Sequence, residues 1–247
     1  MDRLLYISTI GAAHIERAQT LHAHNLANVS TTGFRADFAQ AQSRWVDTPD
    51  GYPARVYGIT ESPGTDHSQG MLRATGRDLD VAVEGSGFLA VQLPDGSEGY
   101  TRAGDLGVDS LGRLVSGEGF PVLGEGGPIA LPPFTQIFIG GDGGITVQPE
   151  GQGPEALVQV DRLKLVDPDP SEVAKDATGL FRRTDGVPAP ADPDVKVVSG
   201  FLEDSNVNAV NELTEIISLA RQFELEVRMM QMAETMDESA TTLVRVS

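Results

Sequence analysis

The chain has 247 residues and a formal net charge of −18, with 18 Lys and Arg against 36 Asp and Glu. Such a charge repels phosphate backbones and anionic lipid, which argues against nucleic acid as a partner. The absence of Cys excludes zinc ribbons, thiol nucleophiles and disulfide scaffolds together. The 28 Gly and 15 Pro favour turns and short strands over an all-helical protein.

The first predicted element is a helix that ends near Asn28. Positions three and four residues apart form a stripe that is mostly apolar or small: Leu4, Ile7, Gly11, His14, Ala18, Leu21 and Asn25. Gly11 and Ala18 would let another backbone approach closely, whereas His14 and Asn25 are polar interruptions. Turn-forming residues then lead to Gly33, which can adopt positive φ, before Phe34.

The middle of the chain favours strands. Residues 35–78 carry mixed signals and are predicted to form a loosely structured connector. From Leu79 onward, short apolar runs bounded by Gly, Pro or Asp predict a mainly antiparallel β domain over residues 79–200, with a hairpin at Asp95-Gly96. Residues 167–194 are rich in Pro and Asp and are predicted to be loop-rich.

The strongest periodic signal lies in the last segment, residues 201–247. Neither Gly nor Pro interrupts residues 206–247, so we expect a helix of about 35 residues. An unbroken apolar stripe follows its three-four spacing: Leu213, Ile216, Ala220, Phe223, Val227 and Met230. Packing on one side alone would not offset the entropy of ordering so long a segment, so we expect the terminal helices to be fixed when neighbours cover several faces.

Catalytic and ligand-binding patterns are weak. The chain contains neither a Gly-x-Ser-x-Gly elbow nor a phosphate-binding loop, and three of its four His lie in the first predicted helix. His22 and His24 are two residues apart, so they point away from each other on a helix and cannot share a metal ion. We therefore predict neither a catalytic site, a cofactor nor a metal.

A specific motif follows the first helix and identifies a resemblance. It reads Asn25-Leu26-Ala27-Asn28-Val29-Ser30-Thr31-Thr32-Gly33-Phe34-Arg35 and resembles the Asn-Leu-Ala-Asn-x-x-Thr-x-Gly-Phe signature of bacterial flagellar rod and hook proteins. The resemblance continues through residues 78–89, 100–104 and 111–119, and it closes with residues 202–208 and 220–224. Residues 35–65 and 125–195 match weakly.

This resemblance implies an α+β fold in which two long terminal helices pair as a coiled-coil-like domain and flank the β domain along the sequence. The helical domain would comprise residues 1–34 and 201–247. Its assembly interface would combine both stripes, apart from His14, with Leu26 and Asn28, while Gly33 and Phe34 would form a structural turn.

The implied function is that of a structural, non-enzymatic subunit of the basal-body rod, needed for motility. The short length and the opening residues 1–6 resemble proximal-rod members most, and a distal-rod subunit is the alternative. Partners would be copies of the chain, other rod proteins and the flagellar type III export apparatus, without membrane insertion. The acidic second residue and the short apolar start argue against a cleaved signal peptide. From another class, an exported β-rich hydrolase or polysaccharide-binding module stays open; a cleft of carboxylates with raised pKa would favour it.

Overall fold

A computed structural model describes residues 2–45, 56–151, 153, 156–176 and 178–246. Within them, the chain begins with the helix α1 (Asp2–Ala27), ends with the helix α2 (Ala209–Val246), and forms antiparallel strands in between. The predicted α+β class with two terminal helices is therefore confirmed. No helix in the described residues is long and apolar enough to cross a membrane.

The chain divides into two compact units. The helical unit comprises Met1–Val29, Ala36–Asp66 and Val207–Ser247, and the β unit comprises Ser30–Arg35 and His67–Asn206. The predicted connector, residues 35–78, contributes strands to both units, although residues 46–55 lie outside the described part. The last strand in this segment, Leu72–Ala74, shows no alternation of buried and exposed residues, because all three residues are exposed. The strand with which it pairs lies about 130 residues away in the sequence.

In the helical unit, α1 packs against α2, and α1 also contacts the first of two paired antiparallel strands, β1 (Asp37–Trp45) and β2 (Val56–Thr65). The start of α2 is capped by Asn208, whose Oδ1 accepts hydrogen bonds from the backbone N–H groups of Val210 and Asn211 at 3.0 and 3.2 Å. The cap explains why this long helix begins where it does.

The β unit contains short strands arranged in several small sheets. In chain order they are β3 Leu72–Ala74, β4 Val81–Glu84, β5 Phe88–Gln92, β6 Glu98–Thr101, β7 Gly107–Val108, β8 Leu114–Val115, β9 Leu123–Gly124, β10 Gly127–Pro128, β11 Phe134–Ile139, β12 Gly144–Pro149, β13 Val158–Arg162, β14 Leu165–Val166, β15 Val173–Lys175, β16 Phe181–Arg183, β17 Lys196–Ser199 and β18 Phe201–Glu203. Pairs β17–β4 and β18–β3 join the end of the unit to its beginning.

The largest sheet has the strand order β14-β5-β6-β16-β15. The predicted Asp95-Gly96 turn joins β5 to β6, with Gly96 at a φ of 83°. Residues 167–194, predicted to be loop-rich, contribute β15 and β16 to this sheet. The main core is aliphatic and includes Val81, Leu89 and Leu106, each fully buried.

We expect Leu106→Ala to lower the free energy of unfolding of the β unit by about 2 to 5 kcal/mol, because it removes a fully buried side chain and leaves a cavity. Leu111→Ala is the matched control, because Leu111 is 75% exposed, and its effect should stay within about 0.5 kcal/mol. Urea unfolding measures both values. Equal effects would contradict the position of the core.

Candidate functional site

The most deeply buried side chains on the faces along which α1 and α2 meet are small or polar. On α1, Ser8, Ala12 and Asn25 are buried, and on α2 Ala233 is buried. A Cβ added to Gly11 would lie 2.9 Å from Oε1 of Glu226, so the absence of a side chain at Gly11 makes room for this carboxylate. The side chain that approaches Gly11 is therefore that of Glu226.

Two polar residues of α1, His22 and Asn25, connect the end of this helix to its neighbours in the helical unit. His22 Nδ1 lies 2.5 Å from Oε2 of Glu212 on α2. The side-chain amide of Asn25 forms two hydrogen bonds with the backbone of Asp37, as a neighbouring strand would. Nδ2 donates to the carbonyl of Asp37 at 2.8 Å, and Oδ1 accepts from the N–H of Asp37 at 3.0 Å. The polar interruption at Asn25 thus has a structural cause, since it fixes the start of β1 against α1.

Two polar atoms in the helix pair are buried and form no hydrogen bond within the described residues, namely Ser8 Oγ and Glu226 Oε2. Burying such an atom costs roughly 1 to 3 kcal/mol. The contact between α1 and α2 in one subunit therefore includes the cost of burying two polar atoms that form no hydrogen bond within the described residues. Most of the large apolar side chains of the two helices lie outside this contact.

Those large side chains form a second stripe on the side of α2 that faces away from α1. We call it the outer stripe, and its apolar members are exposed by 36 to 72%: Val210, Leu213, Ile217, Leu225, Met229, Met232 and Met236. Successive members are three or four residues apart, except for the eight residues between Ile217 and Leu225, so they lie on one broad side of the helix. Near the start of α1, Leu5, Tyr6 and Ile7 are also exposed, by 42, 56 and 64%.

The stripe predicted from sequence lies between the inner and outer faces of α2. Leu213 is 48% exposed and Phe223 38%, whereas the other four members are partly buried: Ile216, Ala220, Val227 and Met230. On α1, Asn25 is buried and Ile7 is exposed, while the remaining described members are partly buried: Gly11, Ala18, Leu21, Leu26 and, beyond the helix, Asn28. The side chain of Leu4 lies outside the described part. The structure thus brings only part of the predicted interface together within one subunit.

The turn at Gly33 and Phe34 holds the two ends of the β unit side by side. Gly33 has a φ of 68°, and its N–H donates to the carbonyl of Glu203 at 2.8 Å. The N–H of Asn206 lies 3.3 Å from the carbonyl of Phe34. Lys175 Nζ lies 3.8 Å from the centre of the Phe34 ring, a cation–π contact. The first and last segments of the β unit are therefore hydrogen-bonded to each other.

Glu203 also forms a buried ionic triad with two arginines. Arg35 Nη1 lies 2.6 Å from Glu203 Oε1, and Arg102 Nη1 lies 3.0 Å from Glu203 Oε2. The side chains are 1, 3 and 0% exposed for Arg35, Arg102 and Glu203. Burial lowers the pKa of Arg102, and the Glu203 carboxylate opposes that shift. Glu203 Oε1 further accepts the N–H of Gly70 at 2.8 Å.

The triad was not predicted from the sequence. Arg35, Arg102 and Glu203 each lie inside a segment that resembles the family, but their charge by itself favours exposure. A signal was available in retrospect: each charged residue is next to residues that belong to the core of the unit, such as Phe34 and Leu202. Residue spacing could not show that the three would meet.

The two features expected of a hydrolase, a cavity and carboxyl groups with a raised pKa, occur at different places in the described part of the chain. A cavity of about 280 Å³ is lined by residues of the segment 167–193, among them Asp169, whose pKa is lowered by the Ser171 hydroxyl. Burial raises the pKa of Asp105 and of Glu118, but neither residue lines this cavity. Among the described residues, no group of three or more His, Asp or Glu could hold a metal ion.

We expect Gly33→Ala to destabilise the β unit by about 3 kcal/mol or more, because the new Cβ would lie 2.3 Å from the carbonyl carbon of Arg102 and φ is positive. Gly76→Ala is the matched control, with a φ of 72° and open space around the new Cβ, and should cost about 1 kcal/mol. Urea unfolding of both variants separates the clash from the backbone strain. Equal costs would contradict the close contact at Gly33.

Glu203→Gln should lower the free energy of unfolding by about 3 to 5 kcal/mol, because it leaves two buried guanidinium groups without a carboxylate. Asp204→Asn is the control, since its ion pair with Arg73 is about half exposed and should contribute at most about 1 kcal/mol. Thermal and urea unfolding measure the difference. A loss of less than 1 kcal/mol at Glu203 would show that the triad is not needed for stability.

Known proteins match the chain over its full length. The family model "Flagellar hook protein FlgE/F/G D1 domain" matches residues 82–147, and "Flagellar basal body rod FlgEFG protein C-terminal" matches residues 198–243. The flagellar basal-body rod protein FlgF of Escherichia coli is 39% identical, and that of Salmonella typhimurium 38%, over 253 residues that cover 100% of both chains. FlgG of Bacillus subtilis is 32% identical over 269 residues, covering 100% of this chain and 99% of the relative. The chain therefore belongs to the family of flagellar basal-body rod proteins.

Proposed function

We propose that this chain, a structural rod subunit rather than an enzyme, occupies the proximal part of the flagellar rod and polymerises along its axis through the terminal helices. The observation that carries the proposal is the outer stripe of α2. A helix covered on one side by α1 and apolar on the opposite side is suited to an assembly in which a neighbour covers the second side.

Axial growth requires that the surface which binds one neighbour differs from the surface which binds the next. The helical unit offers two separate exposed apolar regions, the outer stripe of α2 and residues 5–7 of α1. Contacts between unlike surfaces do not close into a dimer, so they can continue along an axis. We infer that within the assembly the helices pack as a coiled-coil-like bundle, of which α1 and α2 of one subunit form the starting pair.

Sequence identity to the FlgF relatives supports the proximal position. The FlgF relatives of Escherichia coli and Salmonella typhimurium share 39 and 38% with the chain, against 32% for FlgG of Bacillus subtilis. A distal-rod subunit similar to FlgG stays the alternative within the family. We further propose that the chain reaches the rod in the periplasmic space through the flagellar type III apparatus, without loss of a signal peptide, and that its partners are its own copies and other rod proteins.

We expect the double variant Ile217→Gln, Leu225→Gln to fold but to fail in assembly. Gln favours helices as well as Leu does, so helix content should be retained. Each replaced side chain would remove about 2 kcal/mol of burial at the contact, and the two together should weaken association about 1,000-fold. Basal bodies isolated from cells that carry only this variant should lack the chain, and the cells should not swim.

Ile217→Leu with Leu225→Met is the matched control, because both positions stay apolar and helical, and it should retain motility. Circular dichroism of the purified full chain checks that the Gln variant remains folded. A Gln variant that is incorporated into basal bodies at the normal level would overturn assembly through the outer stripe.

A further inference from the structure

A proline-rich segment of the β unit forms a ridge on the surface of that unit. Residues 187–192 read Val-Pro-Ala-Pro-Ala-Asp and belong to neither a helix nor a strand. Proline fixes its own φ and holds the residue before it in the extended region. The alternation of Pro with Val and Ala therefore favours polyproline II, an extended helix with three residues per turn. We call residues 187–192 the proline ridge.

Burial along the proline ridge repeats every three residues, as polyproline II requires. Ala189 is 2% exposed, and Asp192, three residues later, is partly buried. The residues on the two other sides are exposed: Val187, Pro188, Pro190 and Ala191. The N–H of Ala189 donates to the Tyr100 hydroxyl at 2.7 Å. The N–H of Asp192 donates to the carbonyl of Leu165 at 2.9 Å. One side of the ridge thus fixes it to the β unit, and two sides face solvent.

The backbone of the proline ridge offers hydrogen-bond acceptors to a partner. Among the described residues, no hydrogen bond ends on the carbonyl oxygens of residues 187–191. The contacts of Ala189 and Asp192 already hold the segment in place, so a partner that binds it loses little conformational entropy. The ridge is therefore a pre-organised surface with two exposed dipeptides, Val187-Pro188 and Pro190-Ala191.

An acidic cavity lies beside the proline ridge. Its volume is about 280 Å³, and three of its lining residues are aspartates: Asp167, Asp169 and Asp192. Among the described lining residues the one cation is Arg183, which already lies 3.2 Å from Glu172 and 2.7 Å from Asp185. The cavity is smaller than the roughly 300 Å³ and above of most small-molecule sites, so it suits a single side chain. Its charge favours Lys or Arg from a partner.

The proline ridge lies outside the segments that the family models match, residues 82–147 and 198–243. This surface is therefore additional to the features that those models describe. A second copy of the chain is a poor source of a basic side chain for the cavity, because each copy carries a net charge of −18 and copies repel each other. The charge pattern favours a basic partner with a different sequence.

We propose that the proline ridge binds a groove in a different protein, lined by aromatic side chains and bordered by a Lys or Arg. Proline-rich segments in the polyproline II conformation dock in aromatic-lined grooves. The two exposed dipeptides fill the groove, and the free carbonyls accept hydrogen bonds from Tyr or Trp side chains. The basic side chain enters the acidic cavity. This contact belongs to the β unit and is separate from assembly through the outer stripe.

The test places a photo-crosslinking residue, p-benzoylphenylalanine, at position 191 of the full chain in living cells. We expect irradiation to join the chain to another protein, at a peptide that mass spectrometry shows to contain aromatic and basic residues. Pro188→Ala with Pro190→Ala should lower the yield of this product about tenfold, because the ridge is no longer pre-organised. Pro132→Ala with Pro133→Ala is the matched control, with two exposed prolines elsewhere in the β unit, and should leave the yield unchanged.

Two further variants separate the apolar contact from the charged one. Val187→Ser removes an exposed apolar side chain and keeps the backbone restriction, so it should also lower the yield about tenfold. Asp169→Lys places a positive charge at the cavity and should have a similar effect, about tenfold. Glu150→Lys is the control for charge, because Glu150 is exposed and does not line the cavity, and it should retain the product.

Each other result overturns the proposal. A cross-link to a second copy of the chain shows that the partner is not a different protein. The same product from p-benzoylphenylalanine at position 111, where the natural Leu111 is 75% exposed, shows that the product reflects exposure alone. Full yield from the double Pro variant shows that the polyproline backbone is not recognised, and full yield from Asp169→Lys contradicts a basic partner. Thermal unfolding checks that each variant is folded; if the double Pro variant unfolds, Val187→Ser decides the same point.

Discussion

The β unit depends on the carboxylate of Glu203. This carboxylate pairs with both Arg35 and Arg102 in a buried position, while the backbone carbonyl of Glu203 accepts the N–H of Gly33. These contacts join the segment that follows α1 to the segment that precedes α2, although they lie about 170 residues apart in the sequence. Closing the long loop between these segments costs conformational entropy, which the ionic and backbone contacts at Glu203 help to offset.

The helical unit separates two tasks between two sides of one helix. Towards α1, α2 presents Glu212, Glu226 and Ala233, and these polar or small residues set register and close approach. On the side away from α1, α2 presents branched and flexible apolar side chains. Their burial by a neighbour would contribute more free energy than burial of the small and polar residues that face α1. The pairing of α1 and α2 within a subunit therefore leaves the outer stripe uncovered.

Sequence periodicity predicted that the terminal segments are helices, and the boundaries agree within a few residues because Asn208 caps α2 and Gly and Pro are absent from residues 206–247. Periodicity did not show which residues of α2 face α1 and which form the outer stripe. Apolar residues occur on nearly every side of α2, and Leu213 belongs both to the stripe predicted from sequence and to the outer stripe, so periodicity alone does not separate the two. Only the position of α1 distinguishes them. The triad was beyond sequence reasoning for a related reason, since no local pattern shows that charges distant in sequence will be buried together.

The three exposed methionines of the outer stripe also give the free subunit a chemical weakness. A thioether at Met229, Met232 or Met236 that reaches solvent is open to oxidation, and the sulfoxide is polar, chiral and unsuited to an apolar contact. Coverage by a neighbour would shield all three sulfur atoms. The lifetime of the uncovered state, and not only the strength of the final contact, therefore decides how many subunits reach the assembly with an intact surface.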